Sequence, residues 1–162
     1  PGELPALSGR ICYGRGGTLP TITDANLVLG RLDPARLLAV LDAVPLQRIR
    51  DAFARDIGGP LGLTVEQAAE AAIRLANVHM TGAIRMVSLS KGHDPRDFVL
   101  FAFGGAGPLH AVALAREIGI PEVLVPARPG LTNALGCLVA DLRQDSVSTL
   151  NRSLDDLSLI HI

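Results

Sequence analysis

The chain has 162 residues, enough for about one domain, with 48% hydrophobic residues, 19% charged residues and a net charge of −1. That apolar share is more than a disordered chain carries. The balanced charge gives no electrostatic case for nucleic acid or an anionic membrane, and 3% aromatic content without Trp leaves no material for base-stacking platforms.

Residues 1 to 20 are rich in Gly and Pro and read as loop. "TITDANLVLG" has a β-branched start followed by a helix-like or turn segment. Asp33-Pro34 has the form of a helix start, with Asp as N-cap and Pro at the first helical position, and "ARLLAVLDAV" runs on from it. "LQRIRDAFARDIG" places Leu46, Ile49, Phe53 and Ile57 at helical spacing and is expected to end at Gly58-Gly59. The strongest helix signal runs from Thr64 to about Lys91. Thr64 and Gln67 form a capping box. Ile73, Ala76, Met80, Ala83, Ile84 and Val87 form an apolar stripe. Gly92 suits the C-cap, and the alanines at 68, 69, 71, 72 and 76 permit close approach of another element.

Beyond this helix the pattern alternates. "FVLFAF" reads as a buried strand, "GPLHAVALAREIG" as a helix from Gly107-Pro108 to Gly119, "EVLVP" as another buried strand, "GLTNALGCLVADL" as a helix and "DSVSTL" as a last strand. Strand–helix–strand spacing of this kind implies a right-handed crossover and parallel pairing, an α/β fold. From Phe98 to Ala115 the chain carries no formal charge if His110 is neutral, about the length of a membrane span. Three glycines and a proline in its middle would strand backbone donors and acceptors in lipid. Strand, turn and helix explain the run without a membrane.

The turn Gly104-Gly105-Ala106-Gly107 between a buried strand and a helix has a physical use. Glycine lets backbone approach a ligand closely. A helix N-terminus offers unpaired N–H groups, and open α/β sheets bind ligands at the carboxyl ends of their strands. The turn matches neither a Walker loop nor a dinucleotide fingerprint, so a plain packing turn stands beside ligand contact. His110, just inside the helix, reads as a phosphate, substrate or metal contact or as a packed, hydrogen-bonded histidine. Arg15, flanked by Gly14, Gly16 and Gly17, is a candidate phosphate or carboxylate clamp. Asp24 is open to use as a metal-side carboxylate, a base or a helix cap, the cap being the commonest. Cys12 and Cys137 form no disulfide framework or CxxC pair, and a buried inert Cys12 is the commoner case. With no signal peptide visible, a cytoplasmic, reduced setting is the default. The absent initiating Met suggests a piece of a longer protein. "HDPRD" at 93 to 97 reads as a structural Pro turn.

Two stretches together carry a family signature: "CYGRGGTLPTITDANLVLGRLDP" and "DPRDFVLFAFGGAGPLHAVALAREIGIPEVLVPARPGLTNALG". Over residues 8 to 148 they resemble the A-type subunits of the hydantoinase/oxoprolinase family, which includes N-methylhydantoinases, 5-oxoprolinases and acetone carboxylase subunits. The chain departs from the family pattern at Gly9-Arg10-Ile11, where Gly-Pro is usual, and at Asn133, where Ser is common. The resemblance implies part of an actin/hexokinase-like, ribonuclease H-like ATPase domain over residues 1 to 156, with helices packed on a partly parallel sheet. It implies ATP and Mg²⁺ as cofactors, with Gly104, Gly105, Ala106, Gly107 and Arg15 as nucleotide contacts and Asp24 and His110 as candidate catalytic residues. The family's two phosphate-binding turns have no counterpart in the chain and are expected upstream of Pro1. The implied reaction is ATP-driven opening of a cyclic amide, hydantoin or 5-oxoproline. The alternatives are a subunit of an ATP-dependent ketone carboxylase and a non-catalytic nucleotide-binding module. A B-type subunit or a second copy is the implied partner, and the piece alone is expected to be inactive.

The last six residues, "LSLIHI" at 157 to 162, have no family counterpart. They back-translate to CTGTCTCTTATACACATC, which looks like a transposon sequencing adapter, and are expected to be a non-native tail, the alternative being an ordinary apolar tail. Resequencing the locus should replace them with unrelated residues; recovery of LSLIHI followed by further native sequence would refute this.

Overall fold

The computed structural model describes residues 10–37, 44–141, 143–145 and 147. The helical continuation after Arg36, the last expected strand and the 157–162 tail lie wholly or largely outside these residues. Six helices and two strands are described: α1 (Ile22–Val28), α2 (Leu46–Phe53), α3 (Gly59–Leu61), α4 (Val65–Ser88), β1 (Val99–Phe101), α5 (Gly107–Ile118), β2 (Glu122–Leu124) and α6 (Thr132–Val139).

The helix starts follow from their caps. At α1, Thr21 and Asp24 form a reciprocal capping box. Thr64 and Gln67 do the same for the 24-residue α4. Asp33 caps a 3₁₀ turn over Pro34–Arg36, its carboxylate accepting from the Ala35 N–H at 2.9 Å. The HDPRD segment is likewise a capped 3₁₀ turn, with Asp94 accepting from the Arg96 N–H. α5 starts at Gly107-Pro108 and ends on Gly119 in the left-handed conformation, as its sequence predicts.

One helix end differs from expectation. α2 does not stop at Gly58-Gly59 but widens into a π-helical turn over Ala54–Gly58 and runs on through α3 to a left-handed cap at Gly62. Pro60 brings no N–H for the Asp56 carbonyl, and its ring crowds that carbonyl; the wider turn accommodates both. Gly58 serves close approach, since a Cβ there would lie 2.8 Å from the Leu63 carbonyl oxygen.

The core sits among the 3₁₀ turn Ile11–Tyr13, α1, α2 and the first half of α4. Phe53, Leu27 and Ile49 fill it, and Ala25, Ala68 and Ala69 are fully buried, as the small-residue pattern requires. α4 also packs on α5, so it is the spine shared by the core and the sheet unit. Its stripe is buried only in part: Ile73 is enclosed, Ala76, Met80 and Ile84 are half-buried, and Ala83 and Val87 are exposed. The described residues place too little over the end of α4 to cover it.

β1 and β2 pair in parallel, Val99 with Glu122, Leu100 with Val123 and Phe101 with Leu124, with α5 as the crossover. The sheet expected to be buried on both faces is covered on one. Ala102 is enclosed with Ala111, Leu114 and Ala115 of α5, whereas Val99, Phe101 and Phe103, which alternate onto the opposite face, are exposed. Parallel sheets are normally covered on both faces, so this face is unfinished within the described residues.

Asp24 is buried in the wall of the core. Its carboxylate accepts from the Cys12 N–H at 3.0 Å, the Ile11 N–H at 3.4 Å, the Thr21 N–H at 2.9 Å and the Thr21 hydroxyl at 2.7 Å. Asp24→Ala is expected to cost about 3 kcal/mol, because it leaves several donors without their charged acceptor. Asp24→Asn should cost less; chemical denaturation of the two variants checks the order.

Candidate functional site

β1 leads directly into the glycine turn. Gly104 takes the left-handed conformation at φ 86°, which swings the chain from strand toward α5. Its N–H donates to the Pro129 carbonyl at 2.8 Å. That bond ties the turn after β1 to the turn after β2, so both loops stand together at the carboxyl ends of the parallel strands. Gly105 and Gly107 differ from Gly104. Neither has a left-handed φ, and a Cβ at either position would meet nothing within 4 Å. The fold described here does not need glycine at these two places, so the turn is an open cradle of bare backbone. Ala106, the N-cap of α5, provides no side-chain cap, and Gly105, Ala106 and Gly107 are all exposed.

Beside the turn lies an apolar groove of about 630 Å³ between the open face of β1 and α6, lined by Phe101, Pro126, Arg128, Leu131, Leu135 and Leu138 among others. A smaller recess of about 180 Å³ reaches Gly107 itself, between Phe101, Phe103 and Leu114. The sequence reading singled out the first turn and missed the second. The available signal was positional: "ARPGLTN" follows the second parallel strand, and the carboxyl-end rule applies to both strands.

His110 lies in the first turn of α5, buried at 6% exposure, with its Nδ1 2.8 Å from the Asn77 Oδ1 on α4. Burial and then the nearby charge of Arg31 push its pKa below the usual histidine range. This is the packed, hydrogen-bonded alternative of the sequence reading, one turn away from the cradle. Asp24 is the capping residue described above, with both carboxylate oxygens taken up by Ile11, Cys12 and Thr21. That geometry fits the cap rather than a base or metal ligand. Arg15 stands exposed between the left-handed Gly14 and Gly16, in a loop of the α1–α2 unit and not of the β1–α5 unit. Among the described residues no group of three or more His, Cys, Asp or Glu is placed to hold a metal ion. No helix among them is long and apolar enough to cross a membrane; the uncharged run forms β1, the turn and most of α5.

The hydantoinase/oxoprolinase family model matches residues 1–146. The chain belongs to this family. It is 44% identical over 156 residues to the caprolactamase subunit alpha of Pseudomonas jessenii, covering 96% of this chain and 22% of the relative. It is 37% identical over 132 residues to the acetone carboxylase beta subunit of Xanthobacter autotrophicus, covering 81% of this chain and 18% of that one. To 5-oxoprolinase 1 of Arabidopsis thaliana it is 34% identical, over 90% of this chain and 13% of the relative. In structure it matches the ATP-dependent caprolactamase of P. jessenii with a TM-score of 0.75 at 43% identity, over 88% of this chain and 20% of that chain. A nucleotide-free acetone carboxylase follows at a TM-score of 0.74 and 36% identity, over 83% of this chain and 19% of that chain. The chain thus spans between 13% and 22% of the length of these relatives. Two of them, the caprolactamase alpha and the acetone carboxylase beta chains, are named as subunits.

Cys12 completes the local chemistry. Its thiol is pushed up to about 12, chiefly by burial and then by the hydrogen bond and charge of Asp24. Cys137 is exposed. A thiol reagent at about neutral pH should label Cys137 rapidly and Cys12 only on unfolding; peptide mapping of the labelled protein tests this, and fast labelling of Cys12 would contradict the burial.

Proposed function

We propose that this chain forms one wall of a nucleotide site in an ATP-dependent enzyme that opens a cyclic amide, and that Gly104, Gly105, Ala106 and Gly107 are its contact. The observation that carries the reading is the pair Gly105 and Gly107. Their bare backbone is exposed at the carboxyl end of β1, beside an apolar groove, with no conformational or packing need for glycine at either position. Such a surface accepts the close approach of a flat, polar ligand.

The division of labour follows from the residues. Gly104 sets the direction of the turn, and its bond to Pro129 holds the second loop against it. Phe101, Leu131 and Leu135 offer apolar surface to the uncharged part of a ligand and exclude water there. Bound nucleotide would supply the phosphoryl group that activates the amide oxygen, a step that depends on positioning and charge neutralisation more than on a covalent nucleophile. The phosphate turns and the residues for Mg²⁺ belong, on this reading, to other parts of the intact protein. Arg15 remains a candidate anion contact from the α1–α2 unit. Lactam opening is favoured over ketone carboxylation by the higher identity to the caprolactamase subunit, 44% against 37% for the acetone carboxylase subunit; the 34% to 5-oxoprolinase 1 does not extend that preference to every cyclic amide. A second subunit or second copy completes the enzyme, and the segment alone is inactive.

In the full-length protein Gly105→Val is expected to weaken ATP binding at least about 100-fold, since branched bulk occupies the cradle where close approach is needed. Its Cβ meets no protein atom within 4 Å, so the folded structure should survive. Calorimetric titration with ATP measures the effect, and unchanged affinity rules the turn out. ATP hydrolysis stimulated by a lactam, hydantoin or 5-oxoproline supports the amide reading; stimulation by acetone alone selects the carboxylase.

A further inference from the structure

The contact between α4 and the first turn of α5 carries more than packing. α5 begins without a side-chain cap, and its second residue, Pro108, has no N–H. Among the described residues the bond between His110 and Asn77 is the one side-chain hydrogen bond that α5 makes. It joins positions 33 apart in sequence. An amide oxygen only accepts. With Oδ1 facing the ring, the Nδ1–H tautomer is the one that makes this bond, and it leaves Nε2 as an acceptor. Asn77 is half-buried on α4, and Thr81, one turn further along the same helix face, is buried. Arg31 is the charged group whose field reaches the ring, and it opposes a second positive charge there.

We propose that Asn77 is a positioning residue. By accepting the Nδ1 proton it holds His110 in one neutral tautomer and fixes the first turn of α5, and through it the glycine turn, in the position that binds nucleotide. This rests on the reading of that turn as the nucleotide contact. The mechanism needs no contact between Asn77 and ligand. The buried ring is a rigid peg, and the residue that holds it lies on α4, the longest helix among the described residues. Without the amide oxygen the imidazole N–H is buried and unpaired, a state that favours rotation of the ring or displacement of the turn.

Three measurements on the full-length protein test this. Nitrogen NMR of isotope-labelled histidine, with His110 assigned by the signal lost in His110→Gln, should show the Nδ1–H tautomer at neutral pH. An Nε2–H tautomer, in which the Asn77 amide is turned over and donates, overturns the proposal. Asn77→Leu, similar in volume but without an acceptor, should raise the KM for ATP about tenfold with a much smaller change in kcat, and Asn77→Asp, which keeps an acceptor in place, should restore KM to within about twofold. Wild-type KM in Asn77→Leu, or equal impairment in both variants, overturns it as well. Should Asn77→Leu fail to fold, Asn77→Ala, which also removes the acceptor, takes its place with the same expectation, and wild-type KM in it overturns the proposal. Unchanged ATP affinity in Gly105→Val would instead defeat the reading of the turn and leave the tautomer result standing.

Discussion

The carboxylate of Asp24 is the constraint from which the rest of the arrangement extends. It is a charged group in an apolar wall, and such a group is tolerated only when its oxygens are fully bonded. Here it collects the N–H groups of Ile11, Cys12 and Thr21 and the Thr21 hydroxyl, so the glycine-rich entry loop is held against the start of α1. α1 in turn presents Ala25 and Leu27 to the core that α4 shares. α4 holds His110 through Asn77, and His110 lies one turn from the glycine cradle. A cap at one end of the fold is thereby connected, contact by contact, to the loop at the other. The same carboxylate also makes Cys12 inert, because its charge and hydrogen bond add to burial in holding the thiol protonated.

The features legible in the sequence are those decided by chemistry within a few residues. The capping boxes at Thr21 and Thr64, the Pro start and Gly end of α5, and the capped turns at Asp33 and Asp94 each need only a donor and an acceptor two to three positions apart. The end of α2 was not legible for the same reason in reverse. Gly58-Gly59 looks like a stop when read locally, yet the helix winds on, Gly58 lies close against the Leu63 carbonyl, and the left-handed residue is Gly62. Burial of the strands was misjudged because a continuous apolar run does not say how many of its faces are covered. Val99 and Phe101 are as apolar as Leu100, but alternation relative to α5 leaves Leu100 half-buried and the other two exposed.

The candidate site divides along the same line. The turn could be found because three glycines between a strand and a helix are visible in the chain itself. Its tether could not, since Pro129 is an acceptor through its backbone carbonyl and carries no sequence signal for that role. Asn77 was hidden for a related reason: on a long helix it is one polar residue among several, and only the fold brings it to His110. The groove lined by Phe101, Leu131 and Leu135 exists because α6 stands beyond the open face of the sheet, a relation between elements that no single segment encodes.

The glycines of the turn separate structure from function in a way composition does not. Gly104 is explained by its own backbone, since φ 86° is strained for a side chain. Gly105 and Gly107 have no such explanation, and empty space surrounds the Cβ each lacks. Glycine in place of alanine costs about 0.5–1 kcal/mol of backbone entropy where nothing requires it. That cost falls on the loop that Pro129 braces and that the apolar groove adjoins, at the one end of the parallel pair where both turns converge. On the proposed reading, these two glycines leave room for the nucleotide. The sheet face beside them is open too: its exposed Val99, Phe101 and Phe103 are surface that a parallel sheet ordinarily covers. The cradle and the uncovered face lie side by side, so on the proposed reading whatever covers the sheet also bounds the nucleotide.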